Sequence, residues 1–312
     1  MSKMEESNLS EEDYLRKHLE GLEQKNQTKF EETAPKVTVD TSRASDLHYF
    51  AFYVKEFPCG IFYPAGSTIQ VRAAQVKEIQ AYSMVDDNNF YDIVEKMNDM
   101  LSSCVRIKYL DGNVGSYLDL KDPDRYYLIF LIRELTFQKG TSLTTTANCE
   151  CGKEVSIELN RSNFKLFEQS DRVMSFFDPV TLSFRFEVKN GRVFNLSPPT
   201  IGLQKSFTEY IIKENSEKKK PNLSFLKIIP FLLYDRNSIT IDGIKSKLEE
   251  YQKMDDISFQ FLNAAVEKMT FGIEKLRKQC ECGLESHTDM IFPDGPSAIF
   301  VVHDAFEQFI KE

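Results

Sequence analysis

Two identical four-residue segments contain four of the 6 cysteines of this chain. They are the first knuckle, Cys149-Glu150-Cys151-Gly152, and the second knuckle, Cys280-Glu281-Cys282-Gly283. Four thiolates that arrive as two close pairs are typical of a structural Zn2+ site, and the glycine after each pair permits a left-handed turn around the ion. We therefore predict one structural zinc ion. Its ligands are Cys149, Cys151, Cys280 and Cys282.

The spacing within each pair is narrower than in most zinc knuckles, because one residue rather than two separates the cysteines. Both sulfurs of such a pair can still face one ion while backbone N–H groups approach them. The alternatives are unrelated surface thiols and a redox couple. Zinc is favoured because the glutamate and the glycine are repeated together with the cysteines. A disulfide within either pair would be strained.

The cellular compartment is predicted from the N-terminus and from the apolar segments. Met1–Glu6 is polar and acidic, which does not fit a secretory signal, so we expect a cytoplasmic protein. In a reducing cytoplasm, paired cysteines are more often metal ligands than disulfides. The most apolar runs, 126–132 and 228–234, are far shorter than the roughly 20 residues that cross a bilayer. They predict buried helix segments and no membrane partner.

Length, charge and composition narrow the class of protein. The chain has 312 residues, of which 41% are hydrophobic, enough for a substantial core and for more than one domain. The formal net charge is -9 and the pI is about 5.2, so the surface repels a phosphate backbone. General binding to nucleic acid is therefore not expected.

The predicted fold class is α+β, mainly helical with short β-hairpins, and the two-knuckle zinc site joins its halves. We predict a disordered acidic tail over 1–45, which has few large apolar residues. An N-terminal α+β region over 46–170 ends with the first knuckle. A β-hairpin plus helical region over 171–312 ends with the second. If the two knuckles share one ion, zinc closes a long loop of chain.

Apolar periodicity and turn residues predict the individual elements. Asp122 is expected to cap the helix that continues through 126–136, and the hairpin at 184–196 turns at Asn190-Gly191. A helix is expected to enter each knuckle and a strand to leave it. The other predicted helices cover 74–84, 90–104, 203–213, 223–234, 242–253 and 257–278, with a terminal helix that ends at Phe309. The helix over 90–104 is expected to bury one apolar stripe that runs from Phe90 to Cys104. The other predicted strands cover 68–72, 155–159, 289–292 and 298–302.

Several of these features occur in an order that resembles the T-even-type bacteriophage baseplate hub assembly family. They are the segment Phe57-Pro58-Cys59-Gly60-Ile61-Phe62-Tyr63-Pro64, the strand at 68–72, the helix from Asp122-Pro123 into Arg133-Glu134-Leu135-Thr136, and both knuckles. The resemblance covers about residues 55–310. The chain departs from the family pattern at Cys59, where a serine is expected, in an opening segment one residue shorter, and in the narrow spacing of its cysteine pairs.

The resemblance implies a non-enzymatic part in tail morphogenesis. The chain would be either a minor hub component or a chaperone of hub or tape-measure proteins, and those proteins would be its partners. It would act in the host cytoplasm during assembly, and a hub component would remain in the tail baseplate of the virion. The resemblance does not distinguish a permanent component from a transient chaperone.

Two other classes of function fit the sequence less well. A zinc hydrolase is less favoured, because the sequence contains no phosphate-binding Gly-Lys-Ser/Thr loop, no Gly-x-Ser-x-Gly elbow and no His-Glu-x-x-His helix. His287 could replace one cysteine ligand and leave an open catalytic position, although an ordinary hairpin histidine explains it as well. A zinc-ribbon nucleic-acid-binding or transcription regulator would carry basic residues around its knuckles. This chain has Glu150, Glu281 and Glu285 there instead.

Overall fold

Short strands and amphipathic helices alternate along the chain, which confirms the predicted α+β class. The computed structural model describes residues 48–137, 143–217, 227–232, 240–269, 276–288 and 296–300. These residues all belong to one unit that begins at His48. The predicted tail over 1–45 lies outside the described residues, and the boundary near residue 170 stays a prediction.

The helices follow the apolar periodicity of the sequence closely at their N-termini. The α-helices are α1 (Val76–Ser83), α2 (Phe90–Cys104), α3 (Arg125–Thr136), α4 (Asp171–Met174), α5 (Ile201–Ser216), α6 (Ile229–Leu232), α7 (Ile241–Gln252) and α8 (Asp256–Lys268). Side-chain oxygens of Asn89, Thr200, Thr240 and Asp255 cap four of them by accepting bonds from backbone N–H groups of the first turn. Local sequence therefore sets where these helices begin.

The strands form separate small antiparallel sheets. They are β1 (Phe50–Tyr53), β2 (Thr68–Val71), β3 (Val105–Lys108), β4 (Val114–Gly115), β5 (Leu143–Asn148), β6 (Glu154–Leu159), β7 (Phe177–Asp178), β8 (Ser183–Glu187), β9 (Val193–Leu196), β10 (Leu276–Gln279) and β11 (Glu285–Thr288). One sheet has the order β1-β2-β3-β4 and another β7-β8-β9, while β5-β6 and β10-β11 are two-stranded hairpins. The predicted hairpin at 184–196 is confirmed as β8-β9, with Gly191 at φ 80° in its turn.

Helix α3 lies at the centre of the hydrophobic core. Residues 127–132 are apolar and buried in succession, as expected for a helix surrounded by protein on all sides. Phe57 packs on Tyr127 with ring centroids 5.1 Å apart, and Phe164 packs on Phe130 at 5.5 Å. Segments that precede and follow α3 in the chain thus converge on it. The buried helix predicted for 126–132 is confirmed.

The start of α3 is tied to a distant part of the chain. Asp122–Asp124 forms a 3-10 turn that leads into α3. The backbone N–H of Asp122 donates to the carbonyl of Pro199 at 2.8 Å, and the N–H of Ile201 donates to the carbonyl of Leu120 at 2.8 Å. The buried start of α3 therefore fixes the start of α5.

Four sequence-based expectations are wrong in detail. The helix expected to run over 257–278 ends at Lys268, and 276–279 is strand β10, because its backbone pairs with β11. Asp122 is not the cap of α3, since it lies inside the 3-10 turn and its carboxylate pairs with Arg125 at 2.5 Å. Phe90, expected on the buried stripe of α2, is 64% exposed, whereas Cys104 of that stripe is fully buried.

The fourth concerns the strand expected over 298–302. Residues 296–300 form a 3-10 helix instead. The N–H and hydroxyl of Ser297 donate to the carboxylate of Asp87, at 2.8 and 2.6 Å, and Phe300 packs on Tyr82 of α1. These contacts hold the segment against a helix rather than beside a strand. The expected strand at 289–292 and the terminal helix lie outside the described residues, as do parts of the helix expected at 223–234.

Within the described ranges, no helix combines the length and the apolar character that a membrane span requires.

Candidate metal centre

The first knuckle is the turn of the β5-β6 hairpin. Alternation in β5 buries Thr145 and Ala147 and exposes their neighbours, so a strand leads into the knuckle. The N–H of Cys149 donates to the carbonyl of Lys153 at 2.9 Å, and the N–H of Gly152 donates to the carbonyl of Cys149 at 2.8 Å. Gly152 has φ 83°, which explains why glycine occupies this position.

The second knuckle repeats this geometry in the β10-β11 hairpin. The N–H of Cys280 donates to the carbonyl of Leu284 at 2.8 Å, and the N–H of Gly283 donates to the carbonyl of Cys280 at 2.9 Å. Gly283 has φ 88°. Strands therefore enter both knuckles, and the expectation that helices enter them is wrong. Cross-strand pairing, which depends on residues beyond the turn, overrides the helical periodicity before the second knuckle.

Two hairpins without cysteines contain the same turn, which explains the narrow Cys-x-Cys spacing. In β3-β4 the N–H of Tyr109 donates to the carbonyl of Asn113 and the N–H of Gly112 donates to that of Tyr109. The turn of β8-β9 has the same two bonds between Val188, Gly191 and Arg192. This is a three-residue hairpin turn with a left-handed glycine. A knuckle is thus an ordinary turn of this fold with one cysteine immediately before the three-residue loop and the other at its second position.

All four predicted ligand residues come together. Their sulfur atoms lie within 4.8 Å of one another. The Sγ of Cys149 is 3.6 Å from that of Cys282, and the Sγ of Cys151 is 3.7 Å from that of Cys280. A tetrahedral ion with metal–sulfur bonds of about 2.3 Å holds its sulfurs about 3.8 Å apart. The arrangement therefore fits a tetrahedral ion with four sulfur ligands.

The cysteines alternate in exposure. Cys149 and Cys280 are each 6% exposed and form a small apolar cluster with Val155, whereas Cys151 and Cys282 are exposed. Each close contact joins the buried cysteine of one knuckle to the exposed cysteine of the other. The two knuckles are thus equivalent halves of one site, with one side on protein and the other open to solvent.

Polar contacts between the two hairpins surround the sulfur atoms. Lys153 Nζ lies 2.9 Å from Oε2 of Glu281, and Lys278 Nζ donates to the carbonyl of Ser156 at 2.7 Å. The side chains of Lys153 and Glu281 are 61% and 85% exposed, so their ion pair contributes little free energy. This ion pair therefore adds little to the contact between the hairpins, whose strands also lie near each other, β11 beside β5 and β10 beside β6.

The electrostatics of the cluster favour a bound cation. The pKa of Cys149 is lowered to about 6, first by the Ser286 hydroxyl and then by the backbone N–H of Cys151. Among the described residues, the buried Ser286 hydroxyl has no hydrogen-bond partner at normal geometry, so it can turn toward this sulfur. The pKa of Cys282 is raised to about 12: the N–H of Leu284 stabilises its thiolate, but the other three cysteines, Cys151 foremost, oppose ionisation. A divalent cation removes this repulsion, because it lets all four thiols ionise together.

His287 does not belong to the cluster. It lies on β11 opposite Arg277, and its side chain is exposed. In the described part of the chain, the group that could hold a metal ion consists of the four cysteines and contains no histidine. Ser286 is the neighbour that faces the sulfur atoms, and alternation along β11 could have identified it from the sequence.

Two segments that carry the resemblance meet in a second polar cluster, which sequence reasoning did not identify. Asp124 is fully buried, and its carboxylate accepts bonds from the N–H of Cys59 at 2.9 Å and from the hydroxyl of Tyr63 at 2.6 Å. The same hydroxyl accepts from the N–H of Lys121 at 2.8 Å. This cluster links the segment 57–64 to the start of α3. Its buried position indicates a structural role.

Comparison with known families gives one match. The model of a family described as T4 bacteriophage base plate protein matches residues 61–292, which is well over half of the chain. The matched range contains both knuckles, α3 and the second half of the segment 57–64. No curated protein and no solved structure matches the chain.

Proposed function

The chain belongs to the T4 bacteriophage base plate protein family, and we propose from this that it serves in assembly of the tail baseplate hub. It acts without catalysing a reaction, either as a minor hub component or as a chaperone of hub or tape-measure proteins. The observation that carries this proposal is the family match over residues 61–292. It is a phage baseplate protein, so its partners are other phage tail proteins.

The proposal includes one structural zinc ion held by the two knuckles. Soft thiolate ligands favour Zn2+ among the common divalent ions, and four of them form a closed tetrahedral site. The sulfur–sulfur distances of 3.6 and 3.7 Å fit such a site. The ligands are Cys149, Cys151, Cys280 and Cys282.

The contribution of this ion is to join two hairpins that are far apart in the sequence. Cys149 and Cys282 are separated by 133 positions. Closing a loop of this size lowers the entropy of the unfolded chain, and on the model used for cross-links this is worth about 4–5 kcal/mol. Four sulfur ligands leave no open position for a substrate or a reactive water, which favours a structural role over catalysis.

A nucleic-acid-binding role has less support. Glu150, Glu281 and Glu285 are exposed in or beside the knuckles, and the formal net charge of the chain is -9. Phosphate groups are bound by lysine and arginine side chains, and this acidic surface repels them.

The assembly role is tested by isolating partners and by examining particles. A tagged chain, expressed during infection of its host, is expected to co-purify with hub or tape-measure proteins. A tagged chain with Cys282→Ser serves as the control for the contribution of the zinc site. Recovery of no tail protein with the unmodified chain would contradict the proposal. Mass spectrometry of purified virions then separates the two roles, because a hub component remains in the particle and a chaperone does not.

The metal is tested on the purified, reduced protein. Elemental analysis is expected to find one zinc ion per chain. Replacement by Co2+ is expected to give the absorption of a tetrahedral four-thiolate site. A spectrum of an ion with a bound, exchangeable water would contradict a closed structural site, and absence of any bound metal would remove zinc from the proposal.

A further inference from the structure

The close sulfur contacts of the cysteine cluster run between the two knuckles. Cys149 is 3.6 Å from Cys282, and Cys151 is 3.7 Å from Cys280. A disulfide requires an S–S distance of about 2.0 Å, so each contact would have to shorten by less than about 2 Å. Rotation of exposed cysteine side chains can supply a movement of this size.

A disulfide inside either knuckle is opposed by the turn itself. One residue separates its cysteines, and the turn is held by two backbone hydrogen bonds between Cys149, Gly152 and Lys153. The second knuckle has the equivalent bonds. Joining the sulfurs of residues so close in the chain would distort this turn, because a disulfide requires Cβ atoms about 3.8 Å apart and a dihedral angle near 90°.

We propose that the cysteine cluster is a site of reversible oxidation, in which Cys149 joins Cys282 and Cys151 joins Cys280 as two disulfides between the hairpins. Each pair contains one exposed and one buried cysteine. The exposed thiols are the ones that an oxidant reaches, and the buried thiols beside them complete the bonds. The knuckles stay joined in both redox states.

The reaction balances with a small-molecule disulfide as oxidant. The thiolate of Cys282 attacks the oxidant, forms a mixed disulfide and releases one small thiol. The thiolate of Cys149 then attacks the Cys282 sulfur and releases the second small thiol. Two electrons pass from the cysteine pair to the oxidant, and both thiol protons leave with the products. Cys151 and Cys280 react in the same way.

The consequence for the phage rests on the proposed function. The proposed zinc ion is released when its thiolate ligands are oxidised. The hairpins are then held by covalent bonds, which persist in oxidising surroundings outside a host cell. The same four residues thus supply a metal link in the reducing cytoplasm and a disulfide link outside it.

Peptide mapping distinguishes disulfides that join the two knuckles from disulfides inside a single knuckle. Trypsin cuts after Lys139, Lys153 and Lys278, so each knuckle lies in its own peptide with both of its cysteines. The folded protein is treated with oxidised glutathione or diamide, free thiols are alkylated, and the digest is analysed by mass spectrometry without reduction. We expect the two peptides to be joined and to have lost four hydrogen atoms. Two separate peptides, each with an internal disulfide, would overturn the proposal.

Double variants then identify which sulfurs pair. Cys151→Ser with Cys280→Ser leaves Cys149 and Cys282, and this variant is expected to form its disulfide about tenfold faster than the control variants, because its sulfurs are already in contact. One control, Cys149→Ser with Cys280→Ser, leaves the two exposed cysteines. The other, Cys151→Ser with Cys282→Ser, leaves the two buried cysteines. Equal or faster oxidation of either control would overturn the proposed pairing.

The disulfide experiment can be interpreted whether or not the protein binds zinc. Mapping is done on protein as purified and on protein treated first with a chelator, and metal release is followed with a chromogenic chelator. The joined peptides are expected from both samples. If they form in a protein that never contained metal, the disulfide proposal stands and the zinc proposal fails.

Discussion

The hydroxyl of Tyr63 donates a 2.6 Å hydrogen bond to Oδ2 of Asp124 inside the core. Oδ1 of the same carboxylate accepts from the backbone N–H of Cys59 at 2.9 Å. This connection explains why the segment 57–64 and the Asp122-Pro123 helix start occur together in the sequence. They form one structure, in which a buried acid holds a turn against the start of α3.

The free energy of unfolding should depend on pH because Asp124 gains or loses a proton in this range. Burial raises the pKa of Asp124 to about 6, above the value of about 3.9 for an unfolded chain. A carboxyl with a raised pKa contributes stability at low pH that is lost as the pH rises through about 6. In urea unfolding, the free-energy difference between the unmodified protein and Asp124→Asn should therefore shrink by about 1 kcal/mol from pH 5 to pH 7.

The matched control for this experiment is Asp99→Asn, because Asp99 is exposed on α2. Its difference from the unmodified protein is the reference for removing an exposed carboxyl, against which the change for Asp124→Asn is measured. A difference for Asp124→Asn that stays constant or grows from pH 5 to pH 7 would contradict the prediction. Effects of pH on the cysteine cluster cancel, since they are common to all three proteins.

Gly60→Ala should strongly destabilise the protein. A Cβ at this position would lie 2.6 Å from the carbonyl oxygen of Val54 and 2.9 Å from the Cα of Lys55. Both are backbone atoms, so the turn must move, and overpacking of this kind costs up to about 3 kcal/mol. Gly112→Ala is the control: its φ is 87° but nothing lies within 4 Å, so about 1 kcal/mol is expected. Chemical unfolding should rank the two variants in this order.

Cys282→Ser should lower the stability of the protein by removing a ligand of the proposed ion. The expected loss is about 2–5 kcal/mol on the model used for cross-links, or on the order of 10 °C in Tm. A chelator should lower the Tm of the unmodified protein and leave the variant unchanged. Lys153→Ala, which removes an exposed ion pair on the same surface, should have a much smaller effect on Tm than Cys282→Ser. Identical melting curves with and without chelator would rule out stabilisation by a metal.

Glu78→Gln should destabilise the packing of α1 against the end of β2, an inner strand of its sheet. Arg72 and Glu78 form a two-point ion pair at 2.6 and 3.0 Å, and their side chains are only 5% and 8% exposed. Removing the charge of Glu78 leaves the buried guanidinium uncompensated, at a cost of about 3–5 kcal/mol. Glu250→Gln removes the partner of the more exposed Lys247 and should change stability by less than about 1 kcal/mol. Equal effects of the two variants in urea unfolding would contradict this assignment.

Prediction from the sequence succeeded where neighbouring residues decide the structure. The part of the α2 stripe from Met97 to Cys104 and the Asn190-Gly191 turn are both local, and α2 and the β8-β9 hairpin follow them. Prediction failed where the structure is determined by strand pairing that the local periodicity of the sequence does not show. Residues 276–279 continue a helical pattern, but their backbone groups bond to β11 across the second knuckle, and that alternative is not visible in local periodicity.

The sequence alone determined the chemistry available to this protein. It showed which residues carry thiols, that a glycine must follow each pair, and that the surrounding charge is acidic. Only the tertiary structure decided that the Cys149 thiol meets Cys282 and that Asp124 is buried beneath Tyr63. The physical reason is that spacing along the chain constrains atoms within one turn, whereas contacts between residues 61 or 133 positions apart depend on how the whole core packs.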